Sequence, residues 1–220
     1  MRTTASHNAY MTATPALSGP WIRRAAWIAS LWILTLFVYR DTAWTIVSRW
    51  IESETYSHGF LILPIALWLT WEQRGRLLTR APQTSLLAIP AIALAGAMWF
   101  AGSLVFVQVV QQFALVFLLI GLVWFSIGNR GAATLAFPLA YLLFAVPVGD
   151  GLVPPMMELT ATQTVELVRL TGIPVYREGL FFSLPTGDWS VVRACSGIRY
   201  LIASVALGTV YAYLTYRTLT

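Results

Sequence analysis

The stretch APQTSLLAIPAIALAGAMWFAGSLVFVQVVQQFALVFLLIGLVWFSIGN, residues 81–129, runs for 49 residues without a charged side chain. A helix rises about 1.5 Å per residue and a bilayer core is about 30 Å thick, so this run suffices for about two crossings. The amides Gln108, Gln111 and Gln112 interrupt it, and the expected division is one span over Leu86–Phe106 and another over Phe113–Ile127. Working outward, further uncharged runs cover Ala25–Tyr39, bracketed by Arg23, Arg24 and Arg40, then Tyr56–Trp71, Ala132–Val148 and Gly197–Leu214. The expected fold class is therefore an all-α polytopic membrane protein with about six transmembrane helices. Composition agrees, because 58% of the 220 residues are hydrophobic and 10% are charged, against roughly 25% charged in soluble domains.

Arginine placement orients the spans. With the N-terminus inside, the inner segments hold Arg2, Arg23, Arg24, Arg74, Arg76, Arg80, Arg130 and Arg217 against Glu72 alone, 8 minus 1 or +7. The outer segments hold six arginines against eight acids, −2, and the two sides sum to the chain's net +5. Arginine-rich flanks stay in the cytoplasm, so the first span reads as an uncleaved signal anchor. Residues 1–24 read as a disordered cytoplasmic tail and 25–220 as the membrane domain. The net positive charge is thus a matter of topology, and no nucleic acid partner is expected.

Several chemistries are excluded. All 14 basic residues are arginine, which removes lysine catalysis, and the single cysteine, Cys195, removes an intrachain disulfide or a cysteine zinc cage. Two histidines, His7 and His58, leave little for a metal site. Glu54 and His58, four apart, can share a helical face, but no HExxH is present and no metal or cofactor is expected.

Under this topology Glu52, Glu54, His58, Asp150, Arg193, Cys195 and Arg199 all fall at the outer mouth. Between the fifth and sixth spans, Met157, Ala161, Val165 and Val168 recur at helical spacing after Pro154 and Pro155, predicting a small amphipathic helix closed by Gly172 and Pro174. It is expected along the outer interface. Next, Leu180–Leu184 and Trp189–Val192 flank Pro185, Thr186, Gly187 and Asp188, which predicts a β-hairpin that delivers Cys195 to the sixth span. Asp150 reads as a turn residue between glycines.

Cys195 is the expected nucleophile. A helix starting near Ser196 would place the positive end of its dipole, Arg193 and Arg199 around the thiol, and each favours thiolate. Alternatively Cys195 is a small buried hydrophobe. Arg199 suits thiolate pairing or an oxyanion contact, or it snorkels to headgroups. His58, in Tyr56-Ser57-His58-Gly59, is the one outer histidine able to serve as base, or it caps a helix. Ser196 offers a serine-protease alternative beside Cys195. An aspartyl site at Gly149-Asp150-Gly151 is rejected, because no second aspartate lies inside a span.

Three segments now stand in order: Tyr56-Ser57-His58-Gly59-Phe60-Leu61, Gly172-Ile173-Pro174-Val175-Tyr176-Arg177-Glu178-Gly179, and Ala194-Cys195-Ser196-Gly197-Ile198-Arg199-Tyr200-Leu201. Together they resemble the exosortase family over about Ala25 to Thr220. The resemblance implies a bacterial inner-membrane cysteine transpeptidase, its active site facing the periplasm. Its substrates would be exported proteins bearing a C-terminal sorting signal: a Pro-Glu-Pro motif (PEP-CTERM), a membrane helix and an Arg-rich tail. Membrane lipid and exopolysaccharide machinery are the other partners implied. The nucleophile falls on Cys195, with Arg199 and His58 as its expected catalytic companions and Tyr56, Ser57, Arg193 and Ser196 as expected substrate contacts. Relatives carry two more spans with an Arg and another His, so this chain is expected to be a C-terminally truncated piece of an eight-span protein. They also often carry an acid where Arg193 stands. The competing reading is a non-enzymatic transporter or assembly subunit for exopolysaccharide export, in which Cys195 only packs. A transporter calls for polar residues on broken helices at the midplane, and the spans hold almost none.

Overall fold

The computed structural model describes residues 19–79 and 81–216. Helix α1 (Gly19–Val38) is followed, after a break at Tyr39, by α2 (Arg40–Glu52). α3 (Gly59–Glu72) and the short α4 (Arg74–Leu78) come next, then α5 (Ala88–Leu104) and the long α6 (Gln108–Thr134). α7 (Ala136–Tyr141) runs into a 3-10 turn over 142–145, and a second such turn over 150–152 opens α8 (Val153–Leu170). Strands β1 (Tyr176–Glu178), β2 (Phe181–Leu184) and β3 (Gly187–Ser190) precede a 3-10 turn over 193–196 and α9 (Ile198–Tyr216).

The protein is a mostly helical, polytopic membrane protein. Three helices, α1, α6 and α9, are long and apolar enough to cross a bilayer, and a fourth crossing exists if 136–145 and 150–170, bent by 58°, count as one broken span. α3 and α5 are apolar but shorter. The outward surfaces of α1 and α9 carry Ile33, Leu34, Phe37, Leu207 and Tyr211 exposed. Apolar surface on that scale is lipid-facing.

α6 is the central post. α5 folds back along it through 105–107, where Phe106 adopts φ 56, and α1 and α2 lie on its other sides. The turn thus falls just before Gln108, and all three glutamines sit in the first turns of α6 rather than between spans. Polar groups inside the bundle are paired, as a bilayer demands. Gln112 donates to Thr45 Oγ1 at 3.1 Å, Trp99 Nε1 to Thr42 Oγ1 at 3.0 Å and Trp32 Nε1 to the Leu119 carbonyl at 3.1 Å. Among the described residues no buried side-chain polar atom is left without a partner.

Four expectations need correction. α1 begins at Gly19, so of the presumed tail residues 19–24 are helical, with Pro20 well suited to a first turn; residues 1–18 lie outside the described ones. The segment 40–52, read as outer loop, is helical, burying Thr42, Ile46 and Trp50 at helical spacing. The fifth span is not continuous: Pro147 disfavours helix at Val146, which is extended at ψ 124. Finally, the hairpin is a three-stranded antiparallel sheet in the order β1-β2-β3, with Arg177 opposite Phe182 and Phe182 opposite Trp189. The amphipathic helix forms over the expected residues as α8, burying Ala161 and Val165.

Candidate active site

Cys195 is exposed, on the 3-10 turn that α8 and the sheet present at one mouth of the bundle. The sheet is fixed to α8 by Arg177, which donates to Thr162 Oγ1 at 2.9 Å and pairs with Glu158. The turn is fixed by Thr160, whose Oγ1 lies 3.0 Å from the Cys195 carbonyl and 2.9 Å from that of Met156. The Cys195 amide donates to the Val192 carbonyl at 2.8 Å. Gly197 then turns the chain into α9 with φ 70, a left-handed conformation that costs a side-chain-bearing residue about 1–2 kcal/mol.

Facing it is the loop between α2 and α3, which carries Glu54, Tyr56, Ser57 and His58. Two links tie it to the cysteine segment. Arg199 Nη1 donates to Glu54 Oε2 at 2.7 Å across 145 positions of sequence. Asp150 accepts from Arg193 Nη2 at 2.8 Å and from the Tyr56 hydroxyl at 3.2 Å, both on Oδ1, while Arg49 Nη1 lies 4.0 Å from its Oδ2. The residues two before and four after Cys195 are therefore bound, directly or through Asp150, to residues two and four before His58.

The loop itself is rigidly built. Ser57 Oγ donates to the Glu54 carbonyl at 3.0 Å. Gly59 lies under Trp50, where an added Cβ would meet the indole Nε1 at 2.3 Å, and that indole donates to the Ala145 carbonyl at 2.9 Å. The glycine of the Tyr-Ser-His-Gly run thus serves close packing. His58 Nδ1 is 3.1 Å from the Thr55 carbonyl. A carbonyl only accepts, so Nδ1 carries a proton, and Nε2 is the ring nitrogen left to exchange one with a neighbouring group. Burial first, then the Asp150 carboxylate, push the Tyr56 phenol up to about 12 against the pull of Arg193 and Arg49. Near neutral pH Tyr56 is a fixed donor to Asp150.

The expected surroundings of the thiol differ in one respect. α9 begins at Ile198 rather than Ser196, and both arginines expected at the sulfur are engaged by carboxylates, Arg193 by Asp150 and Arg199 by Glu54. A full carboxylate charge is the stronger guanidinium partner. Ser196, the alternative nucleophile, is buried at 3% exposure, and Tyr56 is buried at 2%. Glu54, weighed as a metal ligand, holds Arg199 instead; among the described residues no group of three His, Cys, Asp or Glu is arranged to hold a metal ion. Sequence reasoning put Asp150 at the mouth as a turn residue, without its partners, and gave no role to Arg49 or Thr160. An acid in a stretch as apolar as 132–153 was itself a signal, because isolated charges at such sites find partners.

Fold and site together define a polytopic membrane protein whose single thiol shares one mouth with a lattice of ion pairs. Residues 50–220, well over half of the chain, match the transmembrane exosortase family, and the protein belongs to that family. The chain has no significant match among curated proteins or among solved structures.

Proposed function

We propose that this exosortase is a membrane cysteine transpeptidase that cleaves the C-terminal PEP-CTERM sorting signal of exported proteins, in support of exopolysaccharide or matrix production. The observation that carries the reading is the exposed Cys195, flanked by two arginines tied to the His58 loop, Arg199 directly through Glu54 and Arg193 by way of Asp150, which Tyr56 also binds. His58 Nε2 takes the thiol proton, and the sulfur attacks the scissile carbonyl. The tetrahedral intermediate then expels the amine, which leaves with the proton from His58, and a thioester on Cys195 remains. An incoming amine or water attacks that thioester, gives up a proton and releases the thiol. Arg199 steadies the developing oxyanion once substrate loosens it from Glu54, which is itself 88% exposed and weakly held. Tyr56, Ser57, Arg193 and Ser196 shape the mouth. No cofactor takes part.

In this reading the N-terminus is cytoplasmic, the mouth faces the periplasm of the inner membrane, and α1, α3, α5, α6 up to its kink at Gly128, the 132–148 segment and α9 make about six crossings. Contacts support the alternation. At the far end Gln73 after α3 bonds Tyr213 near the end of α9, and Ser85 before α5 donates to Asn129 of α6 at 2.5 Å. At the mouth Trp50, Ala145, Tyr56 and Asp150 meet.

The test is processing of a Pro-Glu-Pro-tagged reporter in cells expressing the full-length gene at matched membrane levels. Cys195→Ala should abolish cleavage, while Ser196→Ala should retain it within a few fold. Normal cleavage by both variants would make Cys195 structural and favour the assembly-subunit reading.

A further inference from the structure

At the end of the bundle opposite Cys195, the start of α1, residues 76–77 and 81–85, and the end of α6 beyond its kink at Gly128 border a half-open cavity of about 640 Å3. Trp21, Arg76, Gln83, Thr84, Ser85, Asn129 and Arg130 line it, and among the described residues no acid does. That volume lies within the roughly 300–1,000 Å3 usual for small-ligand sites.

The polar groups are arranged as donors. Asn129 Oδ1 accepts from Ser85 Oγ at 2.5 Å and from Trp124 Nε1 at 2.7 Å. Both bonds fix the amide so that its NH2 is the end left over, and among the described residues no acceptor takes it. Arg24 Nη1 donates to Thr84 Oγ1 at 3.1 Å at the rim, occupying that oxygen as acceptor and leaving its own proton to give. Arg76 and Arg130 make no ion pair among the described residues, although each arginine at the other mouth that touches Asp150 or Glu54 does. Two full positive charges with no acid beside them among the described residues, lining the same cavity as a fixed amide donor and a hydroxyl, are a complement for a tetrahedral oxyanion, and guanidiniums suit phosphate oxygens best.

We propose that this cavity binds a phosphate group through Arg76, Arg130 and the Asn129 amide. Two sources share that chemistry, the phosphodiester of an anionic phospholipid and free phosphate, and the position of the cavity at the ends of α1 and α6 puts it at headgroup depth. The proposal is independent of any chemistry at Cys195.

The full chain is purified into detergent and into phosphatidylcholine nanodiscs. Thermal stability and native mass spectra are then followed against short-chain phosphatidylglycerol in one arm and inorganic phosphate, at constant ionic strength, in the other. A ligand that binds the folded state raises its midpoint by mass action. The wild type is expected to bind one ligand at least about tenfold more tightly than Arg76→Gln/Arg130→Gln, the size expected for losing charge-assisted hydrogen bonds. Arg76→Lys/Arg130→Lys should recover part of the loss. Arg74→Gln, whose guanidinium lies over Trp71 outside the cavity, should bind as wild type does. Saturation by phosphatidylglycerol but not phosphate identifies a lipid headgroup; saturation by phosphate alone identifies the free ion. No response of the wild type to either ligand, equal binding by the double Gln variant, or an equal loss in Arg74→Gln would each overturn the proposal.

Discussion

At the mouth around Cys195, Arg49, Arg193 and Arg199 each face a carboxylate, whereas at the other end Arg76 and Arg130 face a cavity without an acid. The same side chain is put to two uses. Around the thiol, arginines and acids far apart in sequence clamp two loops together, and their exposure keeps each pair individually weak. At the far end Arg76 and Arg130 make no ion pair among the described residues, which is what the phosphate proposal rests on. Among the described residues, one end is thus cross-linked by ion pairs and the other carries arginines outside any ion pair.

The mouth can be broken at graded cost. His58→Ala should lower reporter processing about a hundredfold, the usual scale for loss of a general base. Membrane levels should be unchanged. An unaltered rate would leave the thiol without a base in this loop.

Tyr56 gives the sharpest test of the lattice beneath it. Its phenol holds its proton more tightly in the fold than in the unfolded chain, with values of about 12 and 10.0. That contribution is complete below pH 10 and disappears as pH rises through 12. Two pKa units correspond to about 2–3 kcal/mol. The thermal midpoint of the wild type should fall over this window relative to Tyr56→Phe. Asp150→Asn should narrow the window without closing it, because burial acts first and the carboxylate second.

Smaller effects follow. Gly197→Ala, which meets no neighbouring atom within 4 Å but must adopt φ 70, should destabilise by about 1–2 kcal/mol through backbone strain alone. The Glu54 and Arg199 pair, 88% and 50% exposed, should show a coupling under about 1 kcal/mol in a double-mutant cycle on stability. Arg199→Lys should nonetheless lower processing by more than that coupling implies if the guanidinium also meets substrate. Equal, small losses in both measurements would reduce Arg199 to a tether.

Much of the helical plan was legible because apolar run length is a strong signal. α5, α6, α8 and α9 fall near the uncharged or periodic stretches that foretold them, and the Cys195 motif straddles the start of α9. The misses have physical causes. α2 mixes Arg40, Asp41, Arg49 and Glu52 with a buried stripe of Thr42, Ile46 and Trp50, so its charges hid a helix whose other face is packed. The break at Val146 was written in Pro147 and was passed over for the apolar count. β1 pairs with β2 through only three residues, too few for periodicity to register. Asp150 looked like a turn residue because its partners, Tyr56 and Arg193, lie 94 and 43 positions away, and local spacing carries no information on such contacts.

The most direct test of the central claim, that Cys195 does covalent chemistry at this mouth, is mass spectrometry of the purified full-length protein incubated with a Pro-Glu-Pro substrate and quenched in acid. The expected result is an acyl adduct on Cys195 that hydroxylamine removes, absent in Cys195→Ala. Cleavage of the substrate with the adduct on Ser196, or with no adduct on either residue and undiminished turnover in Cys195→Ala, would contradict it.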